Sequence, residues 1–197
     1  DTSMPLHRVE LILKKLNPAL IITDHANEQK IKGYENQINV GHYSKMICSE
    51  ILDDKILSIQ ASVVDTDPLY ILFTSGTTGT PKGVVLPHKA IVDFTDQMVK
   101  TFNISGKNIF GNKSAFHFDF SVLEIYCAAK TGSEMAIIPD RYFTFPMDLL
   151  RYLKDKKITM IAWVPSALCL VADMRALGKV DLPDLKQVFF CGEVMPT

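Results

Sequence analysis

No apolar run in this sequence approaches the length of a membrane-spanning helix, and its first residues carry no signal-peptide pattern. Cysteine is scarce. The four cysteines, at 48, 127, 169 and 191, are widely spaced and form no CxxC pair. That excludes a dense disulfide scaffold and the paired-cysteine zinc sites, and it predicts reduced thiols in a cytoplasmic protein. Excess charge is missing too: the formal net charge is −1. Neither nucleic acid nor an anionic membrane has an electrostatic claim on such a chain. There is no internal repeat, no low-complexity tract, and a single tryptophan, Trp163.

What is present reads as a soluble globular protein with alternating strands and helices. Hydrophobic residues make up 47% and charged residues 22% of the 197 positions, enough for a real core. Pro5 to Leu16 has one apolar face, with Ser3 as a plausible cap and Asn17-Pro18 as a stop. Residues 19–23 read as a short strand. Residues 24–65 are polar and weakly periodic, and are expected to be loops with minor strands. From 69 onward the pattern sharpens. Strand 69–74 leads through a Gly/Thr loop to a strand at 83–86 and a helix at about 88–102. A strand near 108–115, a helix from 119 or 120 to 129 and a strand at 134–138 come next. They are followed by a helix at 146–156, a strand at 158–163, a helix at 165–177 and a strand at 186–190. This alternation predicts an α/β fold with mainly parallel sheets flanked by helices, in which ligands gather at strand exits. The exits are 74–83, 116–121 and 191–193.

The most informative segment is Thr74-Ser75-Gly76-Thr77-Thr78-Gly79-Thr80-Pro81-Lys82-Gly83, directly after the apolar Tyr70-Ile71-Leu72-Phe73. Glycines allow close backbone approach, hydroxyls donate to phosphate oxygens, and lysine brings a mobile positive charge. A flexible Ser/Gly linker is the bland alternative, disfavoured by the ordered strands on both sides. The loop is not a Walker A motif, because Pro81 precedes Lys82 and Gly83 follows it.

Phe116-His117-Phe118-Asp119-Phe120-Ser121 sets one carboxylate among aromatic rings. Asp119 is either the N-cap of the next helix or the counter-ion for a substrate ammonium group, and the local sequence does not choose. His117 is a general base or, better, a wall residue. Cys191 is a nucleophile or, better, a small lining residue, and Trp163 belongs to the core or to a pocket wall. Glu193 could be no more than a capping carboxylate for a helix that would follow this segment.

The segment 72–84 resembles the phosphate-binding signature of the adenylate-forming (AMP-binding) superfamily. Asp1-x-Ser3-x-Pro5-x-x-Arg8 looks like the tail of that superfamily's second core motif. Phe118-Asp119-Phe120-Ser121-Val122-Leu123-Glu124 resembles its FDxS motif, and Phe190-Cys191-Gly192-Glu193-Val194-Met195-Pro196 its adenine-side strand. Together they point to the amino-acid adenylating branch, and the cysteine before Gly192-Glu193 is similar to the D-alanyl carrier protein ligases that serve teichoic acid modification. An adenylation domain of a nonribosomal peptide synthetase is the alternative, as is a non-catalytic nucleotide-binding module.

The resemblance implies roles position by position. Thr74, Ser75, Gly76, Thr77, Thr78, Gly79 and Lys82 would hold the phosphates of ATP, with Lys82 and Thr74 acting in catalysis. Gly192 and Glu193 would border the adenine. Asp119 would pair with the substrate ammonium, while His117, Phe120, Leu123, Trp163, Phe189 and Cys191 would surround its side chain. Trp163 stands where a small hydroxyl residue is expected, so the three bulky walls imply a small or compact aliphatic amino acid. The reaction would join the amino acid to AMP, release pyrophosphate, and load a phosphopantetheinyl carrier protein. ATP and Mg²⁺ are implied, with the metal-binding residue outside this segment and no metal ligand within it. Residues 1–65 would be part of a first subdomain and 66–197 the ATP-loop and acyl-pocket subdomain. The later motifs and the small C-terminal domain would lie beyond Thr197, and the isolated piece is expected to be inactive.

Overall fold

The computed structural model describes residues 4–31, 39–42, 44, 53–74, 80–173 and 176–196. The chain forms two compact units, Asp1–His88 and Lys89–Thr197.

In the first unit, α1 spans Leu6–Leu16 and stops where expected. Asn17 takes a left-handed conformation (φ 47°), and its N–H donates to the Leu13 carbonyl. Asparagine tolerates that conformation better than most residues. Ser3 lies outside the described residues; Pro5 precedes the helix without a side-chain cap bond. Strands β1 (Leu20–Thr23) and β2 (Asn39–His42) pair in parallel. A helix, α2, covers Asp53–Ser62, where the sequence predicts loops and minor strands. All of α2 is exposed, so packing imposed no apolar stripe for the sequence to display. Asp53 and Asp54 in its first turn complement the helix dipole.

Strands β3 (Pro68–Thr74) and β4 (Lys82–Pro87) pair antiparallel, from Pro68↔Pro87 to Thr74↔Lys82. This hairpin departs from the parallel pattern because so short a connection cannot carry the chain back for parallel pairing. It groups with the first unit, whereas the sequence pattern sets it with the residues from 66 onward. Glycine at 83 has a packing reason: a Cβ there would stand 3.0 Å from Ile71 Cγ2 and 3.3 Å from the Phe73 ring.

The second unit carries α3 (His88–Phe102), β5 (Ile109–Asn112), α4 (Ser121–Thr131) and β6 (Glu134–Ile137). The short α5 (Arg141–Thr144), α6 (Pro146–Asp155), β7 (Met160–Trp163), α7 (Pro165–Asp173) and β8 (Gln187–Phe190) complete it. The four strands form one parallel sheet in the order β6-β5-β7-β8. Every residue of β7 is buried, as a strand covered on both faces requires. Its alternation divides the core. Met160 and Ala162 join Phe110, Leu123 and Cys127 on the face of α3 and α4. Ile161 and Trp163 join Leu149, Leu153, Ala167 and Val171 on the face of α6 and α7. Gly111 lets the second layer close: a Cβ there would meet Ile158 Cγ2 at 2.9 Å.

Candidate active site

Strand order and helix placement locate a crevice in the second unit. The chain leaves β5 for α4 and β6 on one side, but leaves β7 for α7 and β8 on the other. The order therefore reverses between β5 and β7, and the two exit loops diverge over opposite faces. Such a switch point opens a binding crevice beyond the carboxyl ends of the strands. The loop 113–120 and the turn at Val164 border it, with the β8 exit, 191–193, beside the latter.

The 113–120 loop is built by its own backbone. The Phe118 N–H donates to Ala115 O (2.9 Å), Ser121 N–H to Phe118 O (3.1 Å) and Val122 N–H to Asp119 O (3.0 Å). The Ser121 hydroxyl also donates to Phe118 O, at 2.8 Å. Asp119 is exposed, contrary to the apolar setting its neighbours suggest, because Phe116 and Phe118 also turn outward. It is not the helix cap. Phe120 occupies that position, and no side-chain bond closes the α4 N-terminus. Among the described residues, the Asp119 carboxylate has no hydrogen-bond or ion-pair partner. Its charge is felt at Cys191: partial burial, then Asp119, push that thiol up. That shift disfavours the thiolate a nucleophile needs. Cys191 is exposed, not buried as a lining cysteine usually is. His117 is exposed as well, with partial desolvation holding its imidazole below the ordinary value.

The remaining substrate-side candidates split between the two core faces. Phe120, Leu123 and Phe189 pack with Phe110, Met160 and Ala162, and Phe189 meets Phe102 edge-on at 4.6 Å. Trp163 does not join them. It is 2% exposed on the opposite face, donates its indole N–H to Gly111 O (3.2 Å) and packs edge-on against Phe143. The period of two along β7 forces that separation. Core packing is what the structure shows for Trp163.

Gly192 needs its glycine, with φ at 88°. Glu193 caps a helix inside this chain: its carboxylate accepts the Ser166 N–H (2.8 Å) and hydroxyl (3.1 Å) at the start of α7. This contact ties the 191–193 segment to the turn after β7.

In the first unit, Thr74 and Lys82 face each other as the last pair of the β3–β4 hairpin, both exposed. The Thr74 hydroxyl reaches Lys82 O at 3.5 Å. Ser75, Gly76, Thr77, Thr78 and Gly79 lie outside the described residues. At the foot of the turn, buried Pro81 accepts the Lys15 ammonium on its carbonyl (3.1 Å). A hydroxyl and an ammonium exposed side by side form a donor set that suits phosphate oxygens. Among the described residues no three His, Cys, Asp or Glu side chains cluster as a metal site, and no helix is long and apolar enough to cross a membrane.

One buried pair is not marked as a pair by any motif. Glu124, fully buried in the first turns of α4, accepts a hydrogen bond from the Asn112 side chain at the end of β5. Burial pushes its carboxyl up to about 8, against the opposing pull of Asn112. The signal was present: a carboxylate in the otherwise apolar Ser121-Val122-Leu123-Glu124-Ile125-Tyr126-Cys127 has to be neutral, paired or both.

The family pattern described as AMP-binding enzyme matches residues 1–197. A D-alanine–D-alanyl carrier protein ligase of Bacillus cytotoxicus is 36% identical over 144 residues, covering 72% of this chain and 28% of that protein. One from Staphylococcus haemolyticus is 30% identical over 199 residues, covering all of this chain and 39% of its own length. The chain thus spans well under half of the curated relatives it matches. Among solved structures, VinN in complex with L-aspartate superposes with a TM-score of 0.80 at 18% identity, over 98% of this chain and 49% of that one. The nonribosomal peptide synthetase AB3403, bound to AMP and glycine, gives 0.76 at 19% identity, over 98% and 14%. At these identities the likeness shows a common fold.

Proposed function

The chain belongs to the AMP-binding enzyme family, and on that premise we propose that the protein carrying it is an ATP-dependent ligase activating a small amino acid. D-alanine is the preferred candidate, supported by the carrier protein ligases at 30% and 36% identity. The observation that carries the amino-acid reading is Asp119: a carboxylate exposed at the strand-order switch, released from capping duty and without a partner among the described residues. A fatty acid offers nothing for that charge to bind; an amino acid offers an ammonium.

In this reading Lys82 and Thr74 hold phosphate oxygens of ATP and neutralise charge on the departing pyrophosphate, together with the loop 75–79. Asp119 orients the amino acid so that its carboxylate is presented to the α-phosphate. Gly192 and Glu193 border the adenine, and His117, Phe120 and Cys191 lie nearest the substrate side chain. Catalysis here is positioning and charge stabilisation rather than covalent chemistry by the protein. Mg²⁺ shields the triphosphate when bound, and no residue of this chain is assigned to it. Loading of a phosphopantetheinyl carrier in the cytoplasm completes the proposal.

Amino-acid-dependent ATP–pyrophosphate exchange tests it, with glycine, both alanines, serine and valine offered to the complete protein. D-alanine is expected to give the fastest exchange; no exchange with any amino acid would overturn the reading. A different winner from the panel would place the protein with other amino-acid adenylating enzymes.

A further inference from the structure

The Asn112–Glu124 pair has none of the roles assigned above, yet it holds both ends of the loop that carries Asp119. Asn112 is the last residue of β5 and Glu124 sits four positions into α4. The Asn112 side-chain amide donates to Glu124 Oε2 and also to the Ser114 carbonyl at 3.2 Å. One amide group thus joins the strand end, the start of the loop and the helix that receives it. Both side chains are buried, at 3% and 0% exposure, so water does not compete for these bonds. The loop is also held by the Ser121 hydroxyl on Phe118 O and by Lys113, whose ammonium stands 3.7 Å from Asp140 Oδ1 and 4.7 Å from the Phe143 ring centre. Glu124 Oε1 has no partner among the described residues. A merely structural core position would be better filled by an apolar side chain, since a half-satisfied buried carboxyl costs stability.

We propose that Asn112 and Glu124 are positioning residues for substrate recognition: their buried hydrogen bond fixes the β5–α4 loop and, through it, the place of the Asp119 carboxylate. The proposal rests on Asp119 being the ammonium counter-ion. A carboxylate displaced by an ångström from its productive place loses much of its value, whatever the fold's stability.

The experiment is ATP–pyrophosphate exchange in the complete protein, using the panel amino acid that exchanges fastest, with KM read separately for amino acid and ATP. Glu124→Met keeps the volume, removes the acceptor and removes the buried polar group. It is expected to melt at or above the wild-type temperature while raising the amino-acid KM about tenfold, leaving the KM for ATP within about twofold. Glu124→Gln keeps a neutral acceptor for Asn112 and is expected to restore the amino-acid KM to near wild type. An unchanged amino-acid KM in Glu124→Met, or equal loss in Glu124→Gln, overturns the positioning role. If Glu124→Met yields no folded protein, Asn112→Leu takes its place with the same expectations for the two KM values and a lower melting temperature, because it leaves Glu124 without its donor. Asp119→Asn separates the two levels. If it leaves the amino-acid KM unchanged, the counter-ion reading fails and the positioning role with it. If it raises that KM while Glu124→Met does not, the positioning role alone fails.

Discussion

The two units display their chemistry in opposite ways. In the first, Thr74 and Lys82 stand exposed at the end of a two-stranded hairpin, supported by little buried surface. In the second, Asp119 projects from a loop clasped at both ends and rooted in a sheet buried on both faces. In the proposed reading, a phosphate grip of hydroxyls and a long lysine side chain tolerates a lightly packed support, because its donors reach and adapt. The proposed selection of one small amino acid would not: a methylene changes binding by only about 1–3 kcal/mol, so groups that choose have to be held still. The contrast predicts that apolar groups removed from the first unit's hairpin cost little stability, while those removed from the second unit's buried core cost much.

The sharpest way to break that contrast is to remove matched apolar groups. Phe110→Ala empties a fully buried site and is expected to cost about 3–5 kcal/mol in denaturant unfolding. Val84→Ala on the exposed face of the hairpin is expected to cost less than about 1 kcal/mol. Equal losses would erase the distinction.

Lys82→Ala addresses function without stability. Exchange is expected to fall by roughly 10²–10³-fold, the scale for losing one transition-state donor, with the melting temperature unchanged. Undiminished exchange would remove Lys82 from the phosphate grip.

A pH series sharpens the second unit's side. The folded Glu124 carboxyl holds its proton up to about 8, whereas an unfolded one releases it near 4.5. The folded state therefore binds the extra proton between those values. Stability is fully present below 4.5 and falls as pH rises towards 8. Glu124→Gln is expected to abolish that fall, gaining on the order of 4 kcal/mol over wild type at pH 8. Parallel stability curves for the two proteins would show Glu124 ionised in the fold.

The smallest effect concerns Glu193. Glu193→Ala removes the carboxylate that accepts Ser166 N–H at the α7 N-terminus, and about 1 kcal/mol of stability is expected to go with it. A loss confined to ATP binding, with stability untouched, would assign Glu193 to the nucleotide alone.

The same contrast decided how much the sequence disclosed. Strands β5 and β7 are short runs covered on both faces, so burial wrote them plainly into the chain, and the order of strands and longer helices from 88 to 190 was legible from that pattern, though the one-turn helix at Arg141–Thr144 was not. Helix α2 was not, because an entirely exposed helix has no face to mark. The antiparallel return of β4 was foreseeable from the length of the 75–81 connection, a chain-reach argument independent of composition. At the site, motif and spacing singled out Thr74, Lys82, Asp119 and Glu193. They could not say which face of a strand Trp163 occupies relative to Phe189, a matter of register that only the assembled sheet decides. Nor does local sequence reveal that Asn112, twelve residues away, is the partner of Glu124.

The central claim is that Asp119 makes this an amino-acid site. Alanine and propionate differ by the amine alone, so ATP–pyrophosphate exchange with D-alanine against propionate, in wild type and Asp119→Ala, tests it most directly. The account predicts exchange with D-alanine only, abolished by the substitution. Equal exchange with propionate, or D-alanine exchange that survives Asp119→Ala, would contradict it.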